Sequence, residues 1–123
     1  MMELYKALWE DLASLGVDIS KFNAELILRS FSSTYYGRYY PQEKHIVIYV
    51  FTTKELLHFR PYRGVHGLLE TFLHEAIHAM QYQSGDYQRT KGVMHDPEFY
   101  RLYNKYSCKL KEVAGKRELR LTV

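Results

Sequence analysis

Leu4, Leu8, Leu12 and Leu15 recur at helical spacing, with Trp9 beside them, and predict a first helix over about residues 3–15. Gly16 stands where a C-terminal cap belongs, and Val17 to Asn23 reads as a connection with Asp18 and Ser20 in turn or capping roles. The period then changes to two. Leu26, Leu28, Ser30 and Ser32 alternate with Ile27, Arg29, Phe31 and Ser33, and aromatics follow at Tyr35, Tyr36, Tyr39 and Tyr40. After a turn at Pro41-Gln42-Glu43-Lys44 comes His45-Ile46-Val47-Ile48-Tyr49-Val50, the strongest strand pattern in the chain. The expectation is three short antiparallel strands over about 25–32, 34–40 and 44–50. Gly37, inside the second run, points to a bulge or a close backbone approach.

Helical spacing returns downstream. Thr53 can cap a short helix over 54–59, which Arg60-Pro61-Tyr62-Arg63-Gly64 breaks. A long helix over about 65–83 carries Leu69, Phe72, Leu73, Ala76, Ile77 and Met80 on a wide apolar face, the signature of a buried central helix. Ser84-Gly85-Asp86 ends it, and a polar loop from Tyr87 to Met94 leads to His95. Asp96-Pro97 then opens a helix, with Asp as N-cap and Pro at the first helical position. That helix, about 97–113, buries Phe99, Leu102, Tyr103, Tyr106, Leu110 and Val113, and Ala114-Gly115 is read as its end. The tail, 116–123, is expected to be a short strand or an unordered end. Taken together the pattern is one α+β domain spanning 1–123.

Composition narrows the class. At 123 residues, with 46% apolar and 25% charged, the balance is that of an ordinary globular domain with a real core. No apolar run is long enough to cross a membrane, and the N-terminus lacks the shape of a signal peptide. The single Cys108 cannot form an internal disulfide or anchor a cysteine zinc cluster, which favours a reducing, cytoplasmic setting and directs attention to the six histidines. The net charge of +3 is uneven: residues 101–123 carry +5 and residues 1–100 carry −2. Arg101, Lys105 and Lys109 form one i, i+4 row, which suits DNA or another anionic partner, or simply a solvated helix face.

The candidate chemistry lies in Phe72-Leu73-His74-Glu75-Ala76-Ile77-His78-Ala79-Met80, an H-E-x-x-H motif within the long apolar helix. Residues four apart share a helix face, so His74 and His78 offer two imidazoles to one point. Zinc accepts imidazole nitrogen and, in catalytic sites, takes three protein ligands with one position left open. Glu75, one residue round, is placed to take a proton from a water activated by the metal. The third ligand must come from elsewhere, and both His95 and Glu98 qualify by position at the entry to the next helix. Glu98 has a competing role, since an acid in the first turn complements the helix dipole. Tyr62, His66, Tyr82, Tyr87 and Tyr100 are candidate oxyanion partners by position only, and His66 reads better as structural; His45 and His58 carry no spacing signal.

His74-Glu75-Ala76-Ile77-His78-Ala79-Met80-Gln81, followed by Gly92-Val93-Met94-His95-Asp96-Pro97-Glu98-Phe99, resembles the SprT-like (Spartan-type) zinc metallopeptidase domain over roughly residues 4–110. That family shows H-E-x-x-H-A and then G-H-G-x-x-F opening a helix. The resemblance implies a small zincin-like domain, Zn2+ as cofactor, His95 as third ligand beside His74 and His78, Glu75 as catalytic base and Phe99 as packing beneath. Met94 and Asp96 stand where the family has glycines, and the H-D-x-x-F form is closer to WLM-type (Wss1-like) peptidases.

Three functions follow from this reading. The first is a zinc-dependent endopeptidase acting on protein or peptide, as the resemblance implies, with DNA-associated or DNA-crosslinked proteins as the substrate class. The second is a regulatory peptidase of the ImmA/IrrE kind. The third is a zinc-stabilised binding module without turnover, against which the intact Glu75 argues. Strand 45–50 is a candidate edge for an extended substrate to join.

Overall fold

The structure is a computed structural model, and it describes residues 2–21, 23–32, 36–52, 64–84 and 95–122. The first helix, α1, spans Met2–Ser14 and stops at Gly16, whose φ of 105° is the left-handed conformation that glycine takes without steric cost. A short 3-10 turn, Ile19–Lys21, follows, with Asp18 Oδ1 accepting from the Ser20 backbone N–H. Three strands come next: β1 (Glu25–Ser32), β2 (Gly37–Tyr40) and β3 (His45–Thr52). The remaining elements are the helices α2 (Gly64–Ser84), α3 (Pro97–Ser107) and α4 (Leu110–Thr122). The short helix expected over 54–59 and the loop from Tyr87 to Met94 lie outside the described residues.

The sheet is mixed, which corrects the antiparallel expectation. Its order is β1-β3-β2, with β1 parallel to β3 and β2 antiparallel to it. The reason lies in β3. Ile46, Val47, Ile48 and Val50 are all buried, so this strand has apolar neighbours on both faces and belongs in the centre. β2 has four residues, one of them the exposed Arg38, and suits an edge. The parallel register sets Leu26 beside Ile46 and Leu28 beside Ile48, so apolar side chains line up on one face. Because β3 is flanked on both sides, it offers no edge to a substrate, and the expectation that strand 45–50 adds one is withdrawn.

Helix α2 packs against β2 and β3 and is central to the core. Leu68, Leu69, Phe72, Leu73, Ala76 and Ile77 are fully buried, against Leu8 and Leu12 of α1 and Ile46 and Ile48 of β3. Trp9 meets Phe72 edge-on, with ring centroids 5.0 Å apart.

The last helix is two helices. The chain turns at Cys108 and Lys109 and continues helically to Thr122, so neither Gly115 nor the tail behaves as expected. Leu110 and Ala114, one turn apart, are both buried. Arg117 lies one turn further on, and its guanidinium grips Asp11 of α1 at 2.9 and 3.1 Å and Glu10 at 3.1 Å. The turn lets this face pack on α1, and the ion pair ties down a segment whose own helix propensity is weakened by Gly115.

Candidate metal centre

The spacing of four that places two side chains on one helix face brings the His74 and His78 rings to a centroid separation of 5.0 Å. His95 arrives from the residue before the α3 cap, with its ring 4.8 Å from His74 and 5.0 Å from His78. His74 Nε2 and His95 Nε2 are 3.0 Å apart, and one nitrogen from each of the three rings lies within 4.8 Å of the others. The backbone that aims His95 is held by the cap. Asp96 is extended (φ −83°, ψ 173°) and its Oδ1 accepts the Phe99 N–H at 2.8 Å.

Beneath the imidazoles lies Phe99, buried, with its ring 4.9, 4.7 and 4.6 Å from those of His74, His78 and His95. Tyr103 stacks behind it at 6.2 Å. This apolar floor makes a charged imidazole costly. Burial drives His74 from 6.5 down to about 4, with His95 alongside adding to the shift. Burial likewise takes His78 to about 4, helped by His74 and His95 and opposed by Asp96. Both rings are therefore neutral near pH 7, with lone pairs available for a cation.

Glu75 occupies the seam between α2 and β2. Its side chain is 11% exposed, with Oε2 4.0 Å from His74 Nε2. Burial raises its carboxyl from 4.5 to about 7, against the pull of the Tyr39 backbone N–H that it accepts and of Arg38. The close approach of β2 depends on Gly37. A Cβ there would fall 2.6 Å from Thr71 Cγ2, 3.0 Å from Val47 O and 3.4 Å from Glu75 Cγ. Of the two alternatives read from the sequence, close backbone approach is the one that the fold uses.

The donor set suits a divalent transition metal. Three imidazoles are a known catalytic zinc set, and tetrahedral bonds of 2.0–2.1 Å put ligand nitrogens roughly 3.3 Å apart. The observed 3.0 Å between His74 and His95 is close to that, and two imidazole nitrogens so placed need either a shared proton or a cation between them. Glu98 is elsewhere: it is ion-paired with Arg101, whose Nε donates to Glu98 Oε2 at 2.8 Å. That bond holds the Glu98 carboxyl below its ordinary value, with burial working slightly the other way.

The remaining candidates divide. His66 pairs with Glu70 one turn on, at 3.6 Å, and His45 sits 3.6 Å from Glu25, its partner in the parallel register. Tyr82 continues the His74–His78 stripe by one more turn and meets Tyr39 edge-on, while Tyr100 is 54% exposed with its ring 6.2 Å from that of His95. His58, Tyr62 and Tyr87 lie outside the described residues. Of the basic row, Arg101 is paired with Glu98, Lys105 lies over the Tyr106 ring, and Lys109 lines a recess between α1 and α4 of about 360 Å³. No helix among the described residues is long and apolar enough to cross a membrane. Two residues of the site went unread in the sequence: Gln81, buried beside Asp96, and Thr71, facing Gly37. The available signal for Gln81 was its place one turn beyond His78, on the helix face that carries both histidines.

No family model, no curated protein and no solved structure matches the chain. What the fold and site define is a small α+β domain with a three-histidine cluster and a buried carboxyl beside it.

Proposed function

We propose that this chain is a zinc-dependent endopeptidase of the SprT-like kind, hydrolysing peptide bonds in protein substrates. The observation that carries the reading is the buried Glu75 carboxyl beside three converging imidazoles. A purely structural zinc site has no need of a base, and it closes its fourth position with a further ligand, which the described residues do not add to the three histidines.

His74, His78 and His95 would hold the ion. When bound, the metal supplies Lewis acidity, drawing electron density from a water and from the scissile carbonyl. Glu75 accepts a proton from the attacking water at its carboxylate and passes it to the leaving amine nitrogen. Phe99 lies beneath the three imidazoles, and burial there keeps His74 and His78 neutral. β2 has no strand on its outer side among the described residues and runs beside Glu75, so an extended substrate would add there. DNA-crosslinked proteins are the substrate class for which the exposed Lys105 and Lys109 would matter.

Glu75→Gln tests the reading. Zinc content should be unchanged, while cleavage of an unfolded protein substrate drops by about 10²–10⁴-fold, the usual contribution of a positioned acid–base group. Wild type and variant that are equally inert with zinc bound, on free and on DNA-linked protein, would return the chain to the class of binding modules.

A further inference from the structure

Gln81 follows His78 by three residues, on the α2 face that carries both helical histidines. It is 5% exposed. Its Nε2 donates to Asp96 Oδ1 at 2.9 Å, and that same oxygen accepts the Phe99 N–H at 2.8 Å. One carboxylate oxygen thus serves donors on both helices, and Asp96, itself 9% exposed, is the residue directly after His95. The hydrogen bonds within α3 fix the shape of that helix but not its distance from α2. Across the gap the structure places apolar side chains, Phe99, Leu102 and Tyr103 among them, a Tyr103–Glu70 hydrogen bond further along α3, and, next to His95, this buried amide–carboxylate bridge. An apolar contact is non-directional and tolerates sliding; a 2.9 Å amide–carboxylate bond does not.

We propose that Gln81 is a positioning residue for the metal centre, whose side-chain amide acts through Asp96 to hold His95 in register with His74 and His78. The inference rests on the metal-binding reading above and deepens it. Ligand distances at such a site tolerate only about 0.2 Å. Without the Gln81 donor, a buried carboxylate oxygen loses a partner, and the start of α3 shifts to recover one from water. Partners behind metal ligands typically change affinity by about 10–100-fold when removed.

The test is cobalt(II) uptake by the full chain, followed by visible absorption, which reports both affinity and ligand set. Gln81→Met keeps the length and bulk of the side chain and removes the donor; Gln81→Asn keeps the amide and withdraws it by one methylene, and serves if the first variant does not fold. Each is expected to bind cobalt about 10–100-fold more weakly than wild type, with bands shifted toward loss of one nitrogen. Arg117→Ala is the control for stability alone, because the partners of Arg117 are Asp11 and Glu10 on α1; it should lower the unfolding midpoint and leave cobalt affinity unchanged. Unaltered affinity and spectrum in a folded Gln81 variant overturn the inference while the metal reading stands. A wild-type chain that takes up no cobalt overturns both.

Discussion

Adding one methyl group at Gly37 probes the contact that sets Glu75 against the sheet. In Gly37→Ala the new Cβ lies 2.6 Å from Thr71 Cγ2 and 3.0 Å from Val47 O. The first distance is about 1 Å inside ordinary carbon–carbon contact, and the second involves the backbone of the central strand, which has least room to yield. Thr71 is buried on α2, so relief must come from β2 lifting away from the helix. Overpacking of this kind costs about 1–3 kcal/mol. Against it stands a gain of about 0.4–1 kcal/mol from a less flexible unfolded chain, because Gly37 is not in the left-handed region. The expected net loss is about 1–2 kcal/mol, read from the urea midpoint at constant slope. Lifting β2 also draws the Tyr39 N–H from the Glu75 carboxylate, so the proposed peptidase activity should fall further than stability alone explains. Thr71→Ser removes the clashing methyl and keeps the hydroxyl; in the Gly37→Ala background it should restore more than half of the lost stability. A Gly37→Ala protein as stable and active as wild type, or a double variant no better than the single, would refute the reasoning.

Other outcomes follow from the same structure. In the metal-free protein, Glu75→Gln should be stabilising at pH 8. The folded carboxyl titrates at about 7 against 4.5 when unfolded, so its burial weakens the fold as pH rises between those values, with a ceiling of about 3 kcal/mol; a difference from wild type that is flat across pH 4–8 in chemical denaturation contradicts this. His74 and His78 carry the opposite sign: both fall from 6.5 to about 4 on folding, so the stability they contribute is lost as pH drops through that window. Metal-free Glu75→Gln, where that trend is unopposed by Glu75, should unfold progressively more easily from pH 6.5 to 4. Arg117→Ala leaves the buried Asp11 without its main cation and should cost about 3 kcal/mol by urea denaturation. Phe99→Ala removes the floor of the cluster and should cost about 3–5 kcal/mol; zinc affinity should fall with it, measured by competition with a chelating dye.

What the sequence revealed and what it hid have separate physical causes. The α2 face was legible because His74, His78 and the apolar residues around them obey one helical period, and such a period survives any tertiary context. Asp96-Pro97 was legible because capping is local: the side chain bonds three residues along the same chain. His95 over Glu98 was left open by position alone, and it is the Arg101 pairing that takes Glu98 away from the cluster. The direction of β1 was hidden, since alternation reports a face and says nothing about which neighbour a strand runs beside. The continuation of α4 past Gly115 was hidden too, because it depends on Arg117 reaching acids more than a hundred residues earlier. Gln81 belongs with these: its partner is fifteen residues away, beyond any local period.

The most direct test of the central claim is anomalous diffraction at the zinc edge from crystals of the full chain grown with zinc. One strong peak per chain is expected, within about 2.0–2.1 Å of a ring nitrogen of each of His74, His78 and His95, and close to Glu75 without being bound by it. A peak at other side chains, or none where the three imidazoles converge, would contradict it.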